Sequence, residues 1–139
     1  MILVERHGNL FANPDNFAHC VSSDFHMSAG IAVEFRDRYG HKSSLLSEGY
    51  RVGQVARRIG SDHNYVFYLV TKQRYFMKPT YHSLQLTLTE LAKWCELLNL
   101  KSLSIPPISC CRDRLSWLIV REMVWNSFKG LNIVVTVYH

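Results

Sequence analysis

Tyr65-Val66-Phe67-Tyr68-Leu69-Val70-Thr71-Lys72, then Pro79-Thr80-Tyr81, then Leu84, Leu88, Leu91, Cys95 and Leu98, is the stretch that decides the fold. Its first part is a compact run of aromatic and β-branched residues, which reads as a strand over Tyr65 to Thr71. In its last part apolar residues recur at steps of four and three, the mark of a helix with one buried face. Working backward, Gln54 to Ile59 reads as a partner strand, because Gly60-Ser61-Asp62-His63-Asn64 is a run of turn formers that closes a hairpin. Earlier still, Ile2 to Glu5 and Phe17 to Val21 read as buried strands, and Ile31, Phe35 and Tyr39 mark a helix that Gly40 is placed to stop. Ser43 to Tyr50 is expected to add a short helical turn.

Working forward, Ser102 to Ile105 is a short strand stopped by Pro106-Pro107. Asp113 to Lys129 is expected to be a helix with Leu115, Leu118, Ile119 and Met123 toward the core, and Asn132 to Tyr138 reads as a last strand. Strands alternate with helices, so the expected fold is α/β, with helices on both faces of a mixed, partly parallel sheet. With 139 residues, 47% of them apolar, one complete core is feasible and the whole chain reads as a single domain.

The apolar start meets Glu5, Arg6 and His7 too early for a signal peptide, and no apolar stretch approaches a membrane span. The expectation is a soluble intracellular protein, nuclear or cytoplasmic, with no membrane partner. Cys20, Cys95, Cys110 and Cys111 lack the paired spacing of a zinc site and read as reduced thiols. The net charge of +5 favours anionic partners, but Arg36, Arg38, Lys42, Arg51, Arg57, Arg58, Lys72, Arg74 and Lys78 are dispersed rather than clustered as in a nucleic-acid-binding arm.

Three loops leave a strand and enter a helix, the arrangement that aims backbone amides at an anion: Ser22 to Gly30, Lys72 to Thr80 and Pro106 to Arg112. Lys72 follows its strand directly, so its amine is expected at the sheet end where ligands gather. Asp113, just ahead of the expected helix, reads on position alone as an N-cap. His19 and His26 read as ordinary hydrogen-bonded histidines.

Several segments carry a resemblance. They are Gly8-Asn9-Leu10-Phe11, Ala18-His19-Cys20-Val21-Ser22, Met27-Ser28-Ala29-Gly30-Ile31-Ala32-Val33, Tyr68-Leu69-Val70-Thr71-Lys72, Lys78-Pro79-Thr80-Tyr81 and Cys110 leading to Asp113-Arg114-Leu115. In this order, over nearly the whole chain, they are similar to the terminal ADP-ribose glycohydrolases of the macrodomain superfamily. The resemblance implies a three-layer αβα macrodomain that binds ADP-ribose and hydrolyses the ester joining it to a glutamate or aspartate of a protein. It implies that Lys72 attacks the anomeric carbon of the distal ribose and that Asp113 assists proton transfer, with no cofactor or metal. For attack Lys72 must be neutral, so a desolvated pocket or a cationic neighbour is expected around it. The ligand contacts implied are Asn9, Leu10, Ser22, Met27, Ser28, Ala29, Gly30, Ile31, Thr71, Pro79, Thr80, Ser109, Cys110, Cys111 and Arg112.

The chain departs from that family at identifiable places. Asn9 stands where the family has an aspartate that accepts from the adenine amine. Ser28 replaces a glycine of the first loop, and Ser109 and Cys111 replace two glycines of the phosphate loop. If either of those two glycines needs a left-handed conformation, a side chain there costs about 1 to 2 kcal/mol, whereas Arg112 brings a charge that can neutralise a phosphate. Asn9, Ser109 and Cys111 keep a non-catalytic ADP-ribose reader in view, and the basic balance, with the activity of related macrodomains, keeps in view a hydrolase of ADP-ribosylated nucleic acid.

Overall fold

The strand Tyr65–Lys72 shows why the chain folds as it does. Its successive side chains point to opposite faces, and both faces are covered: Phe67 and Leu69 belong to one apolar cluster, while Val66, Tyr68 and Val70 belong to another. A strand buried on both sides needs a continuous apolar run rather than an alternating one, which is the pattern found. The computed structural model describes residues 1–27, 30–60, 62–110 and 113–139.

In chain order the elements are β1 (Ile2–Arg6), a 3-10 turn (Leu10–Ala12), β2 (Phe17–Ser22), α1 (Ile31–Tyr39), α2 (Lys42–Ser47), β3 (Val55–Ile59) and β4 (Tyr65–Lys72). They continue with α3 (Tyr81–Leu97), β5 (Ser102–Ile105), α4 (Trp117–Phe128) and β6 (Val134–Tyr138). Among the described residues the strands form one sheet in the order β1-β6-β5-β2-β4-β3, with β3 antiparallel to β4 and every other pair parallel. The hairpin is present, and Gly40 ends α1 as expected: it takes φ +63° and its N–H donates to Arg36 O at 2.9 Å.

Leu84, Leu88 and Leu91 of α3 and Val120, Val124 and Phe128 of α4 cover one face, against Phe67, Leu69, Leu103, Val135 and Val137. Phe35 of α1 and Leu45 of α2 cover the other. These are the three layers of the expected αβα arrangement. Because β2, β4 and β5 run parallel, their carboxyl ends share one edge of the sheet, and all three candidate loops emerge there.

Three sequence expectations need correction. β1 is an edge strand rather than a buried one, since only β6 pairs with it and Ile2 is exposed. The last helix begins at Trp117 with Ser116 as N-cap, so Asp113 is a loop residue and not a cap. Leu118 and Ile119 point to solvent, while Val120, Val124 and Phe128 form the buried stripe, flanked by half-buried Leu115 and Met123. Arg114 takes a left-handed turn at φ +61° ahead of the helix, and within it Trp117 to Val120 are all apolar, so period alone does not choose the face that meets the sheet.

Candidate active site

Lys72 is the last residue of β4, and the end of that strand is locked before the side chain departs. The β2–β4 pairing shifts between Val21 and Ser22, so that Val21 pairs with Val70 and Ser22 with Lys72. The irregularity leaves Thr71 extra, with its hydroxyl donating to Val21 O at 3.5 Å, and Ser23 N–H donates to Lys72 O at 2.8 Å. Such bulges re-aim the side chain that follows.

Asp113 arrives from the other direction. Pro106-Pro107 ends β5, Cys110 N–H donates to Pro107 O at 3.1 Å, and Leu115 N–H donates to Ser109 O at 2.9 Å, which closes the loop. The Cys110 thiol donates to Ile108 O at 3.2 Å, and Tyr81 Oη at the start of α3 accepts Ser116 N–H at 2.9 Å. The result is a direct ion pair: Lys72 Nζ donates to Asp113 Oδ1 at 2.7 Å, with the side chains only 15% and 16% exposed. Of the two expectations for Lys72, a desolvated pocket or a cationic neighbour, the structure gives low exposure and, in contact with its amine, an anion rather than a cation.

A cavity of about 600 Å³ opens over this pair. Of the residues anticipated from the sequence, Ser22, Met27, Gly30, Ile31, Lys72, Ser109 and Asp113 line it. Asn9, Leu10, Thr71, Pro79, Thr80 and Cys110 stand outside its lining. Asn9 caps the 3-10 turn, its side-chain oxygen accepting Phe11 N–H at 3.0 Å with one lone pair to spare. Thr80 caps α3 reciprocally with Ser83, each backbone N–H donating to the other's hydroxyl at 3.0 Å. Ser28, Ala29, Cys111 and Arg112 lie outside the described residues. A second depression of about 370 Å³, between α3 and α4, collects none of the candidate residues.

Ser109 occupies the left-handed region at φ +60°, so the side chain that replaces the family's glycine is strained there. Its hydroxyl meets Cys20 Sγ at 3.4 Å. Burial pushes the Cys20 thiol up to about 12 despite that hydrogen bond, and the residue lines the cavity wall.

Sequence reasoning missed Asp24 and the rim. Asp24 accepts the Ser22 hydroxyl and His26 N–H on one oxygen and Tyr75 N–H on the other, at 3.1 Å for the last, so it ties the first loop to the second. Burial raises its pKa, but these hydrogen bonds prevail and hold it below the ordinary carboxylate value. Tyr75, Phe76 and Met77 line the cavity mouth. Three large apolar residues in a row inside a charged loop were the available signal. His19 also differs from expectation: it is fully buried, stacked on Phe35 at 3.8 Å, and neither ring nitrogen has a hydrogen-bond partner.

No family model matches the chain. It is 41% identical over 133 residues to the ADP-ribose glycohydrolase OARD1 of Homo sapiens, an alignment covering 94% of this chain and 87% of the relative. The chain belongs to the OARD1 family. The structure agrees with a macrodomain fold: it superposes on the macrodomain of Thermus aquaticus DarG with a TM-score of 0.90 at 20% identity, covering 99% of this chain and 98% of that one. Thermosipho africanus DarTG, solved in complex with ADP-ribose, gives a TM-score of 0.85 at 17% identity over 99% of this chain and 41% of that one. Within the OARD1 family, then, this chain places its lysine–aspartate pair beneath a cavity at the edge where the parallel strands end.

Proposed function

We propose that the protein binds ADP-ribose and hydrolyses the ester linking it to a glutamate or aspartate side chain, with Lys72 as nucleophile. The observation that carries this reading is the 2.7 Å contact between Lys72 Nζ and Asp113 Oδ1 at the base of the cavity. Membership of a family whose human relative is named a glycohydrolase supports it.

The chemistry follows from that contact. Asp113 takes a proton from the Lys72 ammonium, and the freed amine attacks the anomeric carbon of the distal ribose. The bond from that carbon to the carrier's carboxylate breaks, and the carboxylate leaves with its electron pair. Water then adds to that carbon as the C–N bond to Lys72 breaks, Asp113 returns its proton to the departing amine, and the proton lost by the water passes to solvent. The diphosphate has its counterpart in Gly30 and the start of α1 on one wall, with Ile108 and Ser109 on the other.

The test has two steps. Calorimetric titration with ADP-ribose should give binding, and Lys72→Ala should cut release of ADP-ribose from a glutamate-modified protein by about a thousandfold or more. Unchanged turnover in that variant removes the mechanism. A second reading, a non-catalytic ADP-ribose reader, is favoured by one observation, the strained Ser109 in the phosphate loop. It requires binding without turnover in the unaltered protein.

A further inference from the structure

Tyr75, Phe76 and Met77 follow one another in the loop after β4 and are 51%, 70% and 41% exposed. None adds to the core, and a run of apolar side chains presented to water at a cavity mouth points to a partner. The run is also well held. Tyr75 N–H donates to Asp24, the Tyr75 ring stacks on His26 at 3.9 Å and 19°, and Phe76 meets Tyr75 edge-on at 5.5 Å. Met77 N–H donates to Arg74 O at 3.0 Å. A surface fixed in advance binds without paying the ordering entropy of a floppy loop.

Its place relates it to the reaction. These side chains line the same cavity as Lys72 and Asp113, so a polypeptide attached to a sugar carbon in reach of Lys72 has an apolar surface beside it. Arg74 and Lys78 flank the run and are exposed, and among the described residues neither joins an ion pair. Two cations beside an apolar tip suit a short acidic segment with an apolar side chain. A nucleic-acid backbone calls for charges repeated along a track.

We propose that Tyr75, Phe76 and Met77 dock the polypeptide that carries the ADP-ribose, selecting modified acidic residues that have an apolar neighbour within an acidic stretch. The proposal rests on the ester-hydrolase reading for the identity of the carrier, but its test reads binding and is separable from turnover. Lys72→Ala serves as background so that the ester stays intact. In it, calorimetry compares four probes: free ADP-ribose, an acidic peptide ADP-ribosylated on a glutamate beside phenylalanine, the same modified peptide with glycine for phenylalanine and lysine flanks, and an ADP-ribosylated single-stranded oligodeoxynucleotide.

The acidic, phenylalanine-bearing peptide should bind about tenfold more tightly than free ADP-ribose. Adding Tyr75→Ala, Phe76→Ala and Met77→Ala should bring the ratio of peptide affinity to free ADP-ribose affinity down to about one, and Phe76→Ala alone should lower it part of the way. The proposal is overturned if the advantage is absent, survives the triple change, extends equally to the glycine-lysine peptide or belongs to the oligonucleotide. Equal weakening of free ADP-ribose overturns it too, because the tip would then touch the nucleotide itself. The ester-hydrolase reading fails on a different result: the protein with Lys72 intact leaves the modified peptide uncleaved.

Discussion

Two residues show how a single side chain sets a property of the whole protein. Burial pushes His19 down to about 3, far below the ordinary value of 6.5, because the charged ring would be desolvated and neither nitrogen has a hydrogen-bond partner. Below pH 6.5 the unfolded chain binds a proton there that the folded chain refuses, so stability falls as pH falls toward 3, by about 1.4 kcal/mol per pH unit. Urea unfolding measured from pH 7 to pH 5 should show a loss of about 2 kcal/mol, and His19→Leu should remove most of it; parallel curves for the two proteins would show that His19 does not set it. Ser109 provides the second case. At φ +60° a Cβ is unfavourable, so Ser109→Gly should be about 1 kcal/mol more stable than Ser109→Ala, the reverse of the order at an ordinary loop position. Thermal unfolding of the two variants decides it.

At the scale of elements, the helix Trp117–Phe128 carries the sharpest test. Phe128 is buried against the sheet and Leu118 is exposed, so Phe128→Ala should cost about 3 to 5 kcal/mol while Leu118→Ala should change stability by less than about 0.5 kcal/mol. Comparable losses in denaturant unfolding would restore the face expected from the sequence. The face is not legible because Trp117, Leu118, Ile119 and Val120 are consecutive apolar residues, and the start is not legible because Arg114 is left-handed and Ser116 is the cap. The hairpin and the helices starting at Ile31 and Tyr81 were legible, because in each a periodic apolar pattern is bounded by its own turn or cap: Gly40 after α1, Thr80 before α3.

For the molecule as a whole, the site is an assembly of three loops whose strands end together at one edge of the sheet. Lys72 and Asp113 are 41 residues apart, and Asp24 and Tyr75 are 51 apart, yet each pair is in hydrogen-bond contact. A ligand that bridges these loops binds only the folded state. ADP-ribose at about one hundred times its dissociation constant should therefore stabilise the protein by about 2.7 kcal/mol, visible as a higher unfolding temperature that rises further with concentration. An unfolding temperature indifferent to ADP-ribose counts against the proposed ligand.

The sequence by itself determined the alternation of strands and helices, the layered α/β class and the three strand-to-helix loops, while its resemblance to the terminal ADP-ribose glycohydrolases singled out Lys72 and Asp113. These are legible because apolar period, turn residues and motif order are properties of neighbours along the chain. Only the tertiary structure decided that β1 lies at an edge, that α4 turns Val120, Val124 and Phe128 inward, that Asp113 ion-pairs with Lys72, and that Asp24 holds Tyr75 at the cavity mouth. Strand order and loop closure set those contacts, and both depend on free energies summed over residues far apart in sequence, which no local pattern encodes.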